Sequence, residues 1–305
     1  MEETVKARRR HLRRFVGPVD LVDRLEKTKA LDGPIATLAK AVRTKLGPGR
    51  LRDLLHGVPT GHPLHPSLAT ASLGCLASAT VLDFTDVDPR ASRVLLATGV
   101  ATALPTAAAG LTDWSTLHRE QQRVGFVHMA ANLTALGLFT ASLLVRRRGG
   151  DGRLLSLAGL GTATLAGYLG GHLAYRQAAG ANHAEQVAHL VPLGWHDLCP
   201  LRDLPDGRPV ARRLGYIQLF VLRHGDSVSV LADRCSHLAG PLHQGRLVVE
   251  DGESCVTCPW HGSTFRLSDG SVKHGPATAP QPCFQTRVRS DGVIQVRPGV
   301  DLNKA

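Results

Sequence analysis

Four stretches of this chain, residues 63–82, 94–112, 124–145 and 154–175, contain no Asp, Glu, Lys or Arg, and each runs 19 to 22 residues. A helix rises about 1.5 Å per residue, so each could cross a hydrocarbon core about 30 Å thick. Matching lengths separated by short charged loops predict an all-α four-helix transmembrane bundle over residues 61–180, connected up and down. The competing reading is a soluble bundle of buried helices, because Ala, Gly and Thr make the stretches only moderately apolar. Gly167 and Gly171, four apart, are expected to let a neighbouring helix come close. Pro105 is expected to kink the second span.

Charge gives the orientation. Residues 1–52 hold 14 Lys and Arg against 6 Asp and Glu, so residues 1–60 read as a basic amphipathic cytoplasmic segment, broken at Gly33-Pro34 and at Gly47-Pro48-Gly49. The run from Arg8 to Arg14 could contact phosphates, but a basic segment before a first span is more simply a retention signal, so no nucleic acid is expected. Arg13-Arg14-Phe15 hints at twin-arginine export, yet residues 17–29 are charged where an apolar signal region should stand. Four spans put both termini on one side. The terminal side collects sixteen basic residues against six opposite, which places the termini in the cytoplasm and the protein as multi-pass in a bacterial cell membrane; Arg146, Arg147 and Arg148 dissent.

From about Val191 the texture changes to short alternating segments, at 216–222, 227–231, 246–249, 284–288 and 293–296, with Gly225-Asp226 and Asp291-Gly292 placed to reverse hairpins. A small all-β domain over 191–300 follows. Four of the six cysteines fall within 235–283, and two segments each pair one thiolate with one imidazole: Cys235-Ser236-His237, and Cys258-Pro259-Trp260-His261. Two sulfurs for one iron and two nitrogens for the other is the ligand set of a Rieske [2Fe–2S] cluster. The tail resembles a Rieske ferredoxin domain, with Gly240-Pro241-Leu242, His261-Gly262-Ser263 and a covering loop Gly275-Pro276-Ala277. Zinc on Cys235, His237, Cys255 and Cys258 is the rival reading, and it leaves His261 unused. The other cysteines read as small buried residues.

The resemblance also marks departures. Respiratory Rieske proteins tie their two cluster loops by a disulfide, and the matching positions here are Gly240 and Trp260. Ser263 is expected to donate to a bridging sulfide, while Phe265 stands where those proteins carry a tyrosine. Fewer donors stabilise the reduced cluster less, so a low, ferredoxin-like potential is expected. An oxygenase catalytic subunit would need a further domain with a second iron, for which no residues follow, so oxygenase activity is not expected.

The first span opens on Gly61-His62-Pro63-Leu64-His65-Pro66, and Gly110-Leu111-Thr112-Asp113-Trp114, His128 with Asn132, and Gly170-Gly171-His172 follow. These resemble an uncharacterised family of bacterial four-helix membrane proteins. His65, His128 and His172 fall at one membrane face, the face from which the Rieske domain emerges, and inward imidazoles on facing helices could hold haem b, another metal or a quinol. They could equally be caps and interhelical bonds.

Taken together the chain reads as a membrane-bound protein passing single electrons, with a redox partner docking near His237 and His261. The alternative is a membrane-anchored iron–sulfur sensor whose helices serve only as anchor.

Overall fold

The computed structural model describes residues 17–86 and 88–299; the basic run from Arg8 to Arg14 lies outside them. Among the described residues three short helices come first: α1 (Pro18–Glu26), α2 (Asp32–Leu46) and α3 (Arg50–His56). Gly33-Pro34 lies inside the first turn of α2 rather than breaking the chain, since a proline there forfeits no helical hydrogen bond. Gly47 does end α2, and Gly57, at φ 87°, ends α3. A side chain at Gly57 would meet the His62 carbonyl at 2.0 Å, so this turn into the next helix requires glycine.

Four long helices follow: α4 (Leu64–Leu82), α5 (Pro89–Trp114), α6 (Arg119–Arg147) and α7 (Arg153–Gly171), the last continued by a wider turn over His172–Arg176. Asp88 caps α5 by accepting from Arg90 N at 2.8 Å. The helix runs on through Pro105. α5, α6 and the extended α7 are long and apolar enough to cross a membrane. α4 is not among them, because His65, Pro66 and a scatter of serines dilute its apolar content. Leu76, Ala79, Leu96, Ala135, Phe139 and Ala163 form the bundle core, while Leu104, Leu133, Leu154 and Leu165 are more than half exposed. An apolar outer surface of this kind is what lipid accepts and water does not.

Close helix contacts occur at other glycines than expected. Gly167 and Gly171 face open space, whereas a Cβ at Gly110 would come 2.6 Å from His65, and one at Gly170 would come 3.1 Å from His128. These two glycines seat imidazoles rather than backbones. At the opposite end of the bundle a buried network ties the ends of all four long helices: Arg146 grips both Asp83 oxygens at 2.6 and 2.5 Å, with Ser92 and Ser156 alongside.

The N-terminal helices are packed onto the bundle as a collar. Arg123 holds both Asp32 oxygens at 2.8 Å and the Glu26 carbonyl at 2.6 Å. Ile35 and Ala39 bury themselves against Trp114.

After a four-residue helix α8 (Val187–Leu190) the chain forms ten strands. β1 (His196–Pro200), β2 (Val210–Leu214), β3 (Ile217–His224), β4 (Ser227–Ala232), β9 (Cys283–Val288) and β10 (Val293–Pro298) make an antiparallel sheet in the order β1-β10-β9-β4-β3-β2. β5 (Arg246–Glu250), β6 (Glu253–Thr257), β7 (Thr264–Arg266) and β8 (Val272–His274) make a second. The expected turns at Gly225-Asp226 and Asp291-Gly292 join β3 to β4 and β9 to β10. The shortest strands, β7 and β8, carry too few residues to show alternation.

Candidate metal centre

The loops joining β4 to β5 and β6 to β7 have the same backbone. Cys235 N donates to Gly240 O and Ala239 N to Cys235 O; in the second loop Cys258 N donates to Ser263 O and Gly262 N to Cys258 O. Both turns need a left-handed residue at the fourth position after the cysteine, and it is Ala239 (φ 60°) in one and Gly262 (φ 80°) in the other. Each turn aims backbone N–H groups at its own sulfur: those of His237 and Leu238 at Cys235, and those of Trp260 and His261 at Cys258. Such donors favour the thiolate that iron requires.

The repeated turn brings the four candidate ligands together. Cys235 and Cys258 are buried and their thiols hydrogen-bond, which holds Cys235 protonated and eases Cys258 down to about 7. The His237 and His261 rings meet edge to face with centroids 5.1 Å apart. Burial pushes both imidazoles toward the neutral form, His261 to about 4, and neutral imidazole is the ligating form. His237 Nε2 faces Thr116 Oγ1 at 3.4 Å, which leaves Nδ1 for a metal. Among the described residues no three His, Cys, Asp or Glu side chains converge on one point. The thiols of Cys235 and Cys258 form one pair and the rings of His237 and His261 another, and a [2Fe–2S] group takes one such pair on each iron.

Ser263 is fully buried and its Oγ accepts from Ala277 N at 2.9 Å. Its own proton is therefore free to be donated inward, as a bridging sulfide would want. A Cβ on Gly240 would lie 3.1 Å from the Trp260 ring, so the two positions that carry a disulfide in respiratory relatives are adjacent here and hold no sulfur. Phe265, without a hydroxyl, shares the buried cluster of Cys235 and Cys258. These residues fit a [2Fe–2S] group.

Residues 194–285 match the family model described as Rieske [2Fe-2S] domain, and residues 61–183 match that described as Predicted membrane protein (DUF2231). The anthranilate 1,2-dioxygenase ferredoxin subunit of Burkholderia cepacia is 34% identical over 105 residues, covering 34% of this chain and 93% of that protein. This chain belongs to the Rieske [2Fe–2S] proteins. Ferredoxin CarAc of Metapseudomonas resinovorans is 33% identical over 101 residues, 32% of this chain and 90% of its own length. The ferredoxin of carbazole 1,9a-dioxygenase from Nocardioides aromaticivorans is 27% identical in the solved structures, covering 34% of this chain and 97% of that one with a TM-score of 0.31. The Rieske domain thus binds a [2Fe–2S] cluster, and its homologues are electron-transfer subunits.

Sequence reasoning missed what surrounds the Rieske tip. His118, in the turn between α5 and α6, lies edge-on to His261 and Trp260 with centroids 6.2 and 5.8 Å away. Asp53 of α3 binds the covering loop, taking His274 Nδ1 at 2.8 Å and Gly275 N at 3.0 Å. Gln281 pins the first cluster loop, donating to the Ala232 and Arg234 carbonyls and accepting from Ser236 N. The helical domain thus faces part of the edge where docking is expected, and Trp260 beside His261 stays half exposed.

The membrane histidines reach into neighbouring helices. His65 Nδ1 bonds the Thr106 carbonyl at 3.0 Å and His128 Nδ1 the Ala166 carbonyl at 2.7 Å, tying neighbouring helices. Asn132 stands 3.2 Å from His128 Nε2. His172 is drawn to Glu26 of α1 at 2.7 Å. Each of the three thus bonds a partner of its own, and the collar helix, which the spans alone did not foretell, supplies His172 with a carboxylate.

Proposed function

We propose that this protein is a multi-pass membrane electron carrier, whose Rieske cluster exchanges single electrons between a soluble partner and a redox site in, or docked on, its own helical domain. The observation that carries the reading is the contact of His237 with Thr116 and of His261 with His118. A bound [2Fe–2S] cluster supplies one-electron chemistry. His237 and His261 would hold it while touching Thr116 and His118 at the α5–α6 turn, and the backbone N–H groups at Cys235 and Cys258 would steady the thiolates. Trp260 is half exposed and leaves a solvent-facing rim beside His261. A soluble partner fits there, as the ferredoxin relatives serve oxygenases by their names. All four long helices span the bilayer in this reading, α4 shielded against α5, with the basic N-terminal side and the Rieske domain in the cytoplasm.

A second reading makes the bundle an anchor and the cluster a sensor. It is favoured by the dispersal of His65, His128 and His172 onto structural partners. Full-length protein in proteoliposomes, reduced in its cluster and offered a lipid-soluble quinone, separates the two. Reoxidation that slows on His118→Ala supports transfer toward the membrane. A cluster that stays reduced, with an optical spectrum lacking any second chromophore, would leave the anchor reading.

A further inference from the structure

A cavity of 410 Å3 lies between the second cluster loop and the helical domain, with Trp260 and His261 on one wall and His56, Arg43, Arg52 and Arg119 on the others. That volume suits a small molecule. Among the described residues three guanidiniums line it and no carboxylate does. The nearby acids are engaged elsewhere: Asp113 takes His56 Nδ1 at 2.7 Å, and Asp53 takes His274 and Gly275. Two buried nitrogens in this lining, Nε2 of His56 and Nε of Arg52, have no partner among the described residues. His56 is only 1% exposed. A buried polar nitrogen without a hydrogen bond costs free energy comparable to a lost bond, so an acceptor or donor is expected to meet it.

We propose that this cavity binds a small anion through a phosphate or carboxylate group, held between Arg52 and His56 at the floor and Arg43 and Arg119 at the mouth. Concave surfaces lined by one sign of charge concentrate ligands of the opposite sign, and guanidinium geometry matches oxyanions in particular. Arg43 and Arg119 are exposed, which gives the ligand a way in. Because His261 forms one wall, an occupant alters the surroundings of a cluster ligand. The binding claim stands apart from the electron-transfer reading and uses the cluster only as a reporter.

The anion could be free in solution or the headgroup of an acidic lipid, and the test separates the sources. Cluster-loaded full-length protein in detergent is titrated calorimetrically with inorganic phosphate and with benzoate. The same protein is placed in nanodiscs of phosphatidylglycerol or of phosphatidylcholine, and the reduced cluster is recorded by electron paramagnetic resonance (EPR). Saturable binding of one phosphate or benzoate, weakened about tenfold or more by Arg52→Gln and by Arg119→Gln, supports a soluble anion. No soluble binding, with a cluster line shape that differs between the two lipids in wild type and not in Arg119→Gln, supports a lipid headgroup. Arg119 is exposed, so its replacement tests the site even if Arg52→Gln fails to fold. Absence of saturable heat together with one line shape in both lipids overturns the proposal, as does unchanged affinity in Arg119→Gln. A missing Rieske signal in wild type would instead count against the cluster.

Discussion

The candidate cluster ligands stand out in the sequence because each Cys–His pair lies within four residues, so a local motif carries them. Residues that tune the site do not, since Gln281, Thr116 and His118 reach it only through folding. Ala239 was equally hidden: its left-handed backbone is imposed by a turn that Gly262 announces openly in the other loop. The hydroxyl count around the cluster makes a prediction. A net hydrogen bond is worth about 0.5–1.5 kcal/mol, or about 20–60 mV for a one-electron couple. Ser263→Ala should lower the cluster potential by that order and Phe265→Tyr should raise it, as followed by EPR redox titration; no movement in either would remove the proposed role of side-chain donors. The thiols make another. Cys258 is eased down to about 7 by Cys235, whereas burial pushes Cys199, Cys255 and Cys283 up. A lowered value means thiolate is present at lower pH, so in cluster-free protein Cys258 should be alkylated half-maximally near pH 7 and the other three only at higher pH. Mass spectrometry after iodoacetamide treatment reads this directly.

Among elements, the long uncharged stretches gave the helices α5 to α7 their limits, because charges at both ends mark where an apolar helix must stop. Strands 217–224, 227–232 and 293–298 were visible through alternation and their Gly-containing turns, and β7 and β8 were not, being three residues each. The collar's packing left no sequence pattern for a physical reason: Asp32, Glu26 and Arg123 look like solvated charges until their partners are known. Asp83→Asn breaks a buried pair with Arg146 and should cost about 3–5 kcal/mol, seen as a lowered melting temperature in detergent; an unchanged temperature would mean the pair is solvated. Asp53→Asn should free the loop carrying His274 and Gly275. Faster hydrogen exchange over residues 272–277, with the cluster signal retained, is the expected outcome.

On the scale of the whole molecule, the order of parts was readable from composition, but their mutual placement was not. Contacts between residues more than a hundred positions apart, such as Thr116 with His237 and Asp53 with Gly275, leave no local pattern. That placement is what turns a ferredoxin-like domain with an exposed edge into one whose histidine tip meets its own helices. A nitroxide at Arg119→Cys, with Cys75, Cys199 and Cys283 replaced by serine, probes it. The reduced cluster carries an unpaired electron and the oxidised one does not. We expect the label's EPR lines to broaden on reduction and recover on oxidation. A clear Rieske signal beside a label that is indifferent to cluster redox state would contradict the docked arrangement.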